Sequence, residues 1–460
     1  MLFNSPVFPL FLAAVLLLYK LLGKSWRAQN AMLLAASYLF YAWWDWRFLG
    51  LIVLSTAVDF FVGLGLQKRK SRLLLAVSLV TNLTILGLFK YHDFFMGELN
   101  AALLDGGVEL RFRLLEVALP VGLSFYTFQS MAYSVDVYRG RVQATRSPLT
   151  FALFVSFFPQ LVAGPIERSE RLMPQLEGPR KRTRRQFAQG AHLILWGLFK
   201  KVFVADNLAV LVQSVYDSPD ANSGFMVLLA GYAFTWQIYC DFSGYTDIAR
   251  GIAKWLGIEL MVNFRLPFFA ASPREVWHRW HISLSEWLRD YLYIGLGGNR
   301  KGSVRAGVNM LVTMVLGGLW HGANWTFLVW GAYHGVALAI QRVLPPVKVP
   351  RALGIVLTFH FTMLGFMIFR ADSMAQLVDL WTVMVTNFTP VVADRYPLTQ
   401  LLILIAFPLL VEFLQYRNDS DIDLFMRWPR WIQAPLAVGM VLAIVVLGAT
   451  YGQAFIYFQF

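Results

Sequence analysis

The sequence predicts an all-α, polytopic integral membrane protein with about 11–12 transmembrane helices. Of its 460 residues, 57% are hydrophobic and only 15% are charged, and the mean hydropathy is +0.54. A chain of this composition cannot hide its apolar surface in one water-soluble core, so most of that surface must face lipid. Apolar stretches recur from one end of the chain to the other, so we expect residues 1–460 to form a single transmembrane domain.

Apolar stretches of about 17 to 24 residues match the thickness of the hydrocarbon core, although several are short or broken. Thirty-two of the 40 Lys and Arg residues lie in seven alternating connections between them, and the positive-inside rule makes those connections cytoplasmic. Both termini then lie on the outer side. Topology also explains the net charge of +13, so no nucleic-acid partner is expected. The stretches fall near residues 5–22, 30–46, 48–66, 72–90, 117–138, 187–212, 223–246, 307–322, 326–342, 351–369, 398–415 and 432–452.

Two segments do not fit the alternation of crossings. Residues 150–163 are apolar but short, with basic loops on both sides, which fits a re-entrant hairpin better than a full crossing. The second segment, residues 268–302, belongs to a long cytoplasmic connection that is too apolar for a solvated loop. We expect this second segment to lie in or near the membrane interface.

A single amphipathic helix is predicted to begin at Pro273 and to continue through the Trp- and Tyr-rich run behind it. Ser272 followed three residues later by Glu275 is a capping-box pattern, and proline is favoured at the first helical position. At 100° per residue, His281 projects from the apolar half of this helix and His278 from the polar border. A tryptophan-belted interfacial anchor would also explain both histidines.

A glycine-rich turn follows at residues 295–302. Glycines let backbone N–H groups approach a phosphate, and Arg300 and Lys301 would complete a binding surface. The turn matches neither the P-loop nor the dinucleotide fingerprint, and a basic turn beside the membrane explains it equally well.

His321 ends a hydrophobic run that is bracketed by glycines. Hydrocarbon offers no water to solvate an imidazole, so a histidine at this position needs a partner or a cavity. A neutral imidazole can accept a proton. His321 is therefore the first candidate for a catalytic residue.

A series of ordered motifs runs through the chain: PVGLSFYTFQ (120–129), AGPI (163–166), DFSGYTD (241–247), WHRWHISLS (277–285), WLRDYLYI (287–294), LGGNR (296–300), LWHGAN (319–324) and FIYFQF (455–460). Together they resemble the membrane-bound O-acyltransferase family. The branch that they resemble most includes the membrane subunits of bacterial alginate and cellulose O-acetylation and, more distantly, of teichoic-acid D-alanylation. The resemblance spans nearly the whole chain.

The resemblance implies an enzyme of the bacterial inner membrane that moves an acetyl group from cytoplasmic acetyl-CoA toward an exported exopolysaccharide, through a tunnel in a ring of tilted helices. The family's two characteristic histidines correspond to His281 and His321. We expect His321 to be the general base for the acceptor hydroxyl and His281 to position or polarise the thioester. The candidate acyl-CoA contacts are His278, Arg279, Arg289, Asn299, Arg300 and Lys301.

Acetyl-CoA is the expected donor substrate, and no metal or redox cofactor is expected. The single cysteine, Cys240, excludes an internal disulfide and any multi-cysteine metal site. Its simplest interpretation is a small buried hydrophobic residue.

Residues 453–460 form an aromatic tail that we expect on the outer side, after the final crossing. Tyr457 could carry the acyl group transiently or dock a partner, whereas aromatic anchoring at the interface is the simpler interpretation. No soluble outer domain is predicted. The resemblance therefore implies an extracytoplasmic acetyltransferase partner and a polysaccharide synthase or export complex, in addition to contacts with membrane lipids.

Other functions remain open at this point. An acyltransferase that acts on a lipid, a protein or a teichoic-acid-type acceptor would carry the same motifs. A transporter or channel would line its path with polar residues, but no inverted repeat of the crossings is visible. Lys200 and Lys201 interrupt the stretch 187–212, so either that crossing begins after a horizontal segment or the lysines face a cavity and meet CoA phosphates.

Overall fold

The computed structural model describes residues 1–344, 349–419, 423–449 and 455–456. Regular structure in these residues is helical, with no strand, which confirms the all-α prediction. Six helical segments among them are long and apolar enough to cross a membrane, so the protein is a multi-pass membrane protein. The ring of about 11–12 helices around a tunnel stays a prediction. The six segments are Trp26–Lys68, Arg72–Asp105, Gly302–His321, Arg351–Arg370, Val392–Arg417 and Arg430–Leu447.

The first of two compact units comprises Met1–Thr183 and Ala253–Met261. One π-helical turn, Gly87–Tyr91, joins two of its helices. The helices of this unit are α1 (Val7–Leu21), α2 (Trp26–Asp45), α3 (Leu49–Lys68), α4 (Arg72–Leu86), α5 (His92–Asp105), α6 (Leu123–Arg139), α7 (Pro148–Ser156), α8 (Phe158–Leu161) and α9 (Ser169–Leu176).

A buried carboxylate ties three helices of this unit together. Asp59 on α3 accepts hydrogen bonds from Ser78 and Asn82 on α4. It also accepts hydrogen bonds from Ser130 and Ser134 on α6. A carboxylate away from water needs such donors, because an unsatisfied buried charge is costly. Polar side chains in these apolar helices therefore have a structural explanation.

The segment 150–163 does not form one continuous helix. Helix α7 ends at Ser156 and α8 begins at Phe158, and the side chains around the break are fully buried. Gln129 and Gln160 both donate hydrogen bonds to the carbonyl oxygen of Phe154, at 2.6 and 2.9 Å. A helix break inside a membrane protein is tolerated where protein groups satisfy the backbone in this way. Re-entry of the segment from the cytoplasm stays a prediction.

The second compact unit comprises Arg184–Ile252 and Val262–Phe460. It includes two π-helical turns, Phe199–Ala205 and Leu288–Tyr293. The helices that begin in this unit are α10 (Arg184–Leu198), α11 (Asp206–Tyr216), α12 (Gly224–Trp255), α13 (Pro273–Arg279), α14 (Ile282–Trp287), α15 (Gly302–His321), α16 (Trp325–Val343), α17 (Arg351–Arg370), α18 (Met374–Thr386), α19 (Arg395–Arg417), α20 (Asp423–Arg427) and α21 (Arg430–Leu447).

Helices α15 and α16 approach each other more closely than ordinary side chains permit. Gly318 faces the carbonyl of Phe327, and Gly331 faces the carbonyl oxygen of Met314, so a Cβ atom at either glycine would clash with backbone. Small residues allow such close approach between membrane helices. The contact fixes the end of α15, where His321 lies.

Candidate active site

His321 is the last residue of α15, and the turn behind it is tightly held. Asn324 accepts a hydrogen bond from the N–H of Thr326 at 3.1 Å and thereby caps α16. Its amide also donates to the carbonyl of Asp372 at 2.8 Å. His321 itself is buried, with 4% of its surface exposed. The imidazole therefore occupies a defined position at the end of a rigid helical hairpin.

The prediction of one helix from Pro273 onward is wrong, because the chain breaks at His281. Helix α13 ends at Arg279, and His281 has the left-handed backbone conformation, with φ 42° and ψ 53°. The N–H of Ile282 donates to the carbonyl of Asn263 at 3.0 Å, so tertiary contacts replace helical hydrogen bonds here. A left-handed conformation is unfavourable for a residue other than glycine and often marks a functional position.

The break brings His281 beside His321, and their ring centroids lie 6.4 Å apart. Trp320 contacts both rings, at 5.9 and 5.0 Å. His281 is 1% exposed, and burial lowers its pKa to about 3, so its imidazole is neutral at physiological pH. The structure thus joins the two predicted histidines in one buried site.

Aromatic rings enclose this histidine pair. Trp330 and Phe369 lie 5.1 and 5.2 Å from the ring of His321. Trp330 also contacts a third buried histidine, His334, at 5.0 Å. Water-excluding walls strengthen hydrogen bonds and charge interactions inside the site. His334 is not among the predicted site residues.

A cavity of about 590 Å³ lies in the same unit, a volume typical of ligand sites. Phe264 lines it and packs against Phe242 at 5.0 Å, and the ring of Phe242 lies 4.7 Å from His281. Neither histidine of the pair is among the residues that line the cavity, and Phe242 connects the lining residue Phe264 with His281. The lining residues are His192, Leu193, Trp196, Lys200, Tyr239, Ser243, Thr246, Asp247, Arg250, Asn263, Phe264, Arg265, Leu266, Glu275, His278, Arg279, Glu412, Gln415, Asp419 and Phe425.

Charged groups in the cavity lining are largely paired. The ammonium of Lys200 donates to Ser243 and to Asp247, at 2.8 and 2.7 Å, and Arg250 contacts the other oxygen of Asp247 at 3.2 Å. Four Lys or Arg residues and four Asp or Glu residues line the cavity, so it is polar but close to neutral. The structure thus places Lys200 against a cavity. Its neighbour Lys201 forms ion pairs with Asp206 and Asp241.

Two of the six predicted acyl-CoA contacts, His278 and Arg279, line the cavity. Arg279 is held by Glu275, whose carboxylate lies 2.9 Å from the guanidinium. Glu275 also accepts a hydrogen bond from the N–H of Ala271 and so supports the start of α13.

The other four predicted contacts are not among the residues that line the cavity. Arg289 is exposed and pairs with its neighbour Asp290 at 2.7 Å. Asn299, Arg300 and Lys301 are exposed on the glycine-rich turn. Tyr457 lies outside the described residues.

Arg250, Arg265 and Glu412 also line the cavity, and none of them is among the predicted site residues. Glu412 lies within α19, inside the predicted crossing 398–415, and an acidic residue in a membrane helix is itself a signal of function. Arg250 and Arg265 belong to no binding motif, so only the folded chain reveals them.

A comparison with known families matches residues 140–371 to the membrane-bound O-acyltransferase family. The matched range includes both members of the histidine pair. This helical membrane protein, with buried histidines near a ligand-sized cavity, is therefore a membrane-bound acyltransferase. The chain belongs to the membrane-bound O-acyltransferase family.

Similar proteins extend the match to the whole chain. The chain is 40% identical to the probable alginate O-acetylase AlgI of Pseudomonas putida, over the full length of both proteins. It is 45% identical to the protein of the same name from Azotobacter vinelandii, over 81% of this chain and 76% of that relative. It is 35% identical to the peptidoglycan O-acetyltransferase of Helicobacter pylori, over 83% of this chain and 79% of that relative. These similarities confirm the resemblance to the bacterial polysaccharide O-acetyltransferase branch.

Proposed function

We propose that this enzyme takes an acetyl group from cytoplasmic acetyl-CoA and passes it across the inner membrane for O-acetylation of an exported exopolysaccharide of the alginate or cellulose type. The observation that carries the proposal is the buried His281–His321 pair, with centroids 6.4 Å apart, near a ligand-sized cavity. The names of the relatives support an acetyl group and a polysaccharide acceptor. The positive-inside pattern supports two periplasmic termini.

His321 acts as the general base in this proposal. The acceptor hydroxyl oxygen attacks the thioester carbonyl carbon while its proton passes to the imidazole of His321. The carbon–sulfur bond then breaks, and the CoA thiolate takes the proton back from the imidazolium. His281 is neutral, so its ring N–H can donate to the carbonyl oxygen and stabilise the negative charge that develops there.

The cavity holds the acyl donor in this proposal. Its nearly neutral, polar lining suits the amide-rich pantetheine arm of acetyl-CoA better than the nucleotide phosphates, because phosphate binding favours uncompensated cations. Arg265 is exposed at the cavity, and Arg279 lies next to it through a hydrogen bond to the Arg265 carbonyl, so both can meet the phosphates. The exposed residues Arg289, Arg300 and Lys301 are secondary candidates for the same contact.

An extracytoplasmic acetyltransferase partner and a polysaccharide synthase or export complex complete the pathway in this proposal. Tyr457 is a candidate acyl carrier or docking residue for that partner. An acetylated Tyr457 trapped during turnover and detected by mass spectrometry would support the carrier role. Full activity of Tyr457→Phe would exclude it.

The central test is acetyl transfer from labelled acetyl-CoA by the purified protein, assayed alone and together with its extracytoplasmic acetyltransferase partner. Alginate- and cellulose-type oligosaccharides serve as acceptors, beside a peptidoglycan fragment. We expect His321→Ala to lower the rate by about 100- to 10,000-fold, the range for loss of a general base. His92→Ala is the matched control, because His92 lies in the first unit and pairs with Asp93. Retained transfer by folded His321→Ala would remove His321 from this role, and acetyl-CoA binding without any release of CoA, with the extracytoplasmic partner present, would contradict the function.

A further inference from the structure

Phe455 and Ile456, the described part of the predicted aromatic tail, are both buried, with 2% and 3% of their surfaces exposed. The N–H of Ile456 donates to Oδ2 of Asp241 on α12, at 2.8 Å. Side chains that serve only as interfacial anchors face the membrane surface. The burial and the hydrogen bond therefore indicate a role inside the second unit.

The other carboxylate oxygen of Asp241 takes part in a buried ion pair. Oδ1 of Asp241 lies 2.5 Å from the ammonium of Lys201, which also contacts Asp206 at 2.8 Å. Each of these three residues is at most 5% exposed. A desolvated, hydrogen-bonded cluster of charges has few alternative arrangements, because any break leaves an uncompensated charge. Asp241 is thus a rigid point of attachment for the backbone of Ile456.

The ring of Phe455 extends this contact toward the histidine pair. It lies 5.0 Å from Tyr245 and 5.9 Å from Phe242, measured between centroids. Phe242 in turn packs against His281 at 4.7 Å, with the rings inclined by 70°. The left-handed backbone of His281 persists only if the surrounding side chains enforce it. Phe242, backed by Phe455, is one of those side chains.

We propose that Asp241 is a positioning residue for acyl transfer. By holding Phe455 and Ile456 against α12, it keeps Phe242 packed on His281 and so fixes the imidazole relative to His321. This inference rests on the proposed function, in which His281 acts on the thioester. Without Phe455 and Ile456 held against α12, the imidazole of His281 is displaced, but the charged lining of the cavity stays intact. The value of kcat therefore falls, while KM for acetyl-CoA changes little.

Steady-state kinetics of Phe455→Ala, Asp241→Asn and the double variant test the proposal in the full-length protein. We expect each single variant to lower kcat by about tenfold or more, because small displacements of a catalytic group are costly. KM for acetyl-CoA should stay within about twofold of the wild-type value. The double variant should be no slower than the slower single variant, because both changes remove the same support.

Two control variants distinguish loss of the packing of Phe455 on Phe242 from general destabilisation of the second unit. Phe225→Ala removes a partly buried ring whose aromatic partner, Phe388, is not part of the site. Asp394→Asn alters another buried carboxylate, which accepts a hydrogen bond from the N–H of Val391 at 2.9 Å. Both controls should keep the wild-type kcat.

Several outcomes would overturn the proposal. Asp241→Asn can fail to fold because it leaves the ammonium of Lys201 with less negative charge beside it. Phe455→Ala removes no charge, so its kcat decides whether the proposal holds. Wild-type kcat in Phe455→Ala, additive losses in the double variant, or an equal loss in the controls would each refute the support. Full transfer by His281→Ala would refute the proposed role of His281 as well. An inactive His281→Ala together with a fully active Phe455→Ala would refute the support alone.

Discussion

Replacing Gly331 with alanine tests whether the close approach of α15 and α16 sets the position of His321. A methyl group at residue 331 would lie 2.8 Å from Val315 Cα and closer still to the carbonyl oxygen of Met314. Ordinary van der Waals contact begins at 3.4 Å, so α15 must retreat by about 0.6 Å or more, since backbone cannot rotate aside. A 1 Å misplacement costs about 100-fold in rate, so we expect kcat to fall by about 10- to 100-fold.

The assay is acetyl transfer by the purified Gly331→Ala variant, with Tm measured in the same detergent. Gly307→Ala is the matched control on α15, because its new Cβ would meet only Ala339 Cβ at 3.6 Å. Both changes raise intrinsic helix propensity by about 1 kcal/mol, so this effect cancels in the comparison. Wild-type kcat in Gly331→Ala, or an equal loss in Gly307→Ala, would refute the link between helix approach and activity.

Three further predictions follow from buried polar groups. Burial lowers the pKa of His281 to about 3, whereas its value in the unfolded chain is about 6.5. Protons therefore bind preferentially to the unfolded chain. At pH values below about 6.5, the free energy of unfolding should decrease by up to about 1.4 kcal/mol for each pH unit. His281→Gln should flatten this fall in Tm between pH 7 and pH 5, and identical pH profiles would contradict it. Asp59→Asn should lower the free energy of unfolding by about 3 kcal/mol, since four neutral donors lose their hydrogen bonds to a charged group; an unchanged thermal unfolding curve would contradict this. Lys200→Met should raise KM for acetyl-CoA more than it lowers kcat, because Lys200 lines the proposed donor cavity; kinetics with KM unchanged would argue against that site.

The membrane fold and one histidine could be predicted from local sequence because lipid imposes strict local rules. A span needs a long apolar helix, and an imidazole at its end is conspicuous, as at His321. The break at His281 left no such signal. Apolar residues recur at helical spacing on both sides of it, so Trp280 and Leu284 are buried whether the helix continues or not. The contact that replaces the helical hydrogen bonds comes from Asn263, which belongs to no local pattern.

The cavity could not be predicted because its residues come together only in the folded chain. Lys200 and Asp247 are 47 positions apart in sequence, yet their side chains are hydrogen-bonded. Proximity to the histidine motifs in sequence favoured Arg289, Arg300 and Lys301 as donor contacts, but these side chains are exposed and are not among the residues that line the cavity. Long-range ion pairs of this kind have no periodicity that a sequence pattern could reveal.

Because Phe199–Ala205 is a π-helical turn, the positions of its side chains depend on the number of residues in the turn as well as on their identity. Lys200 reaches Asp247 at the cavity, while the adjacent Lys201 reaches Asp206 and Asp241. A π-helical turn accommodates an extra residue within a helix. Deletion of one residue would restore a regular helix and rotate everything beyond it by about 100°. With the deletion at Phe199, ahead of both cations, Lys200 and Lys201 would turn away from Asp247 and Asp241 together. Relatives should therefore keep the length of this stretch constant even where its side chains vary. A relative with a one-residue gap here should have a different arrangement of the buried ion pairs.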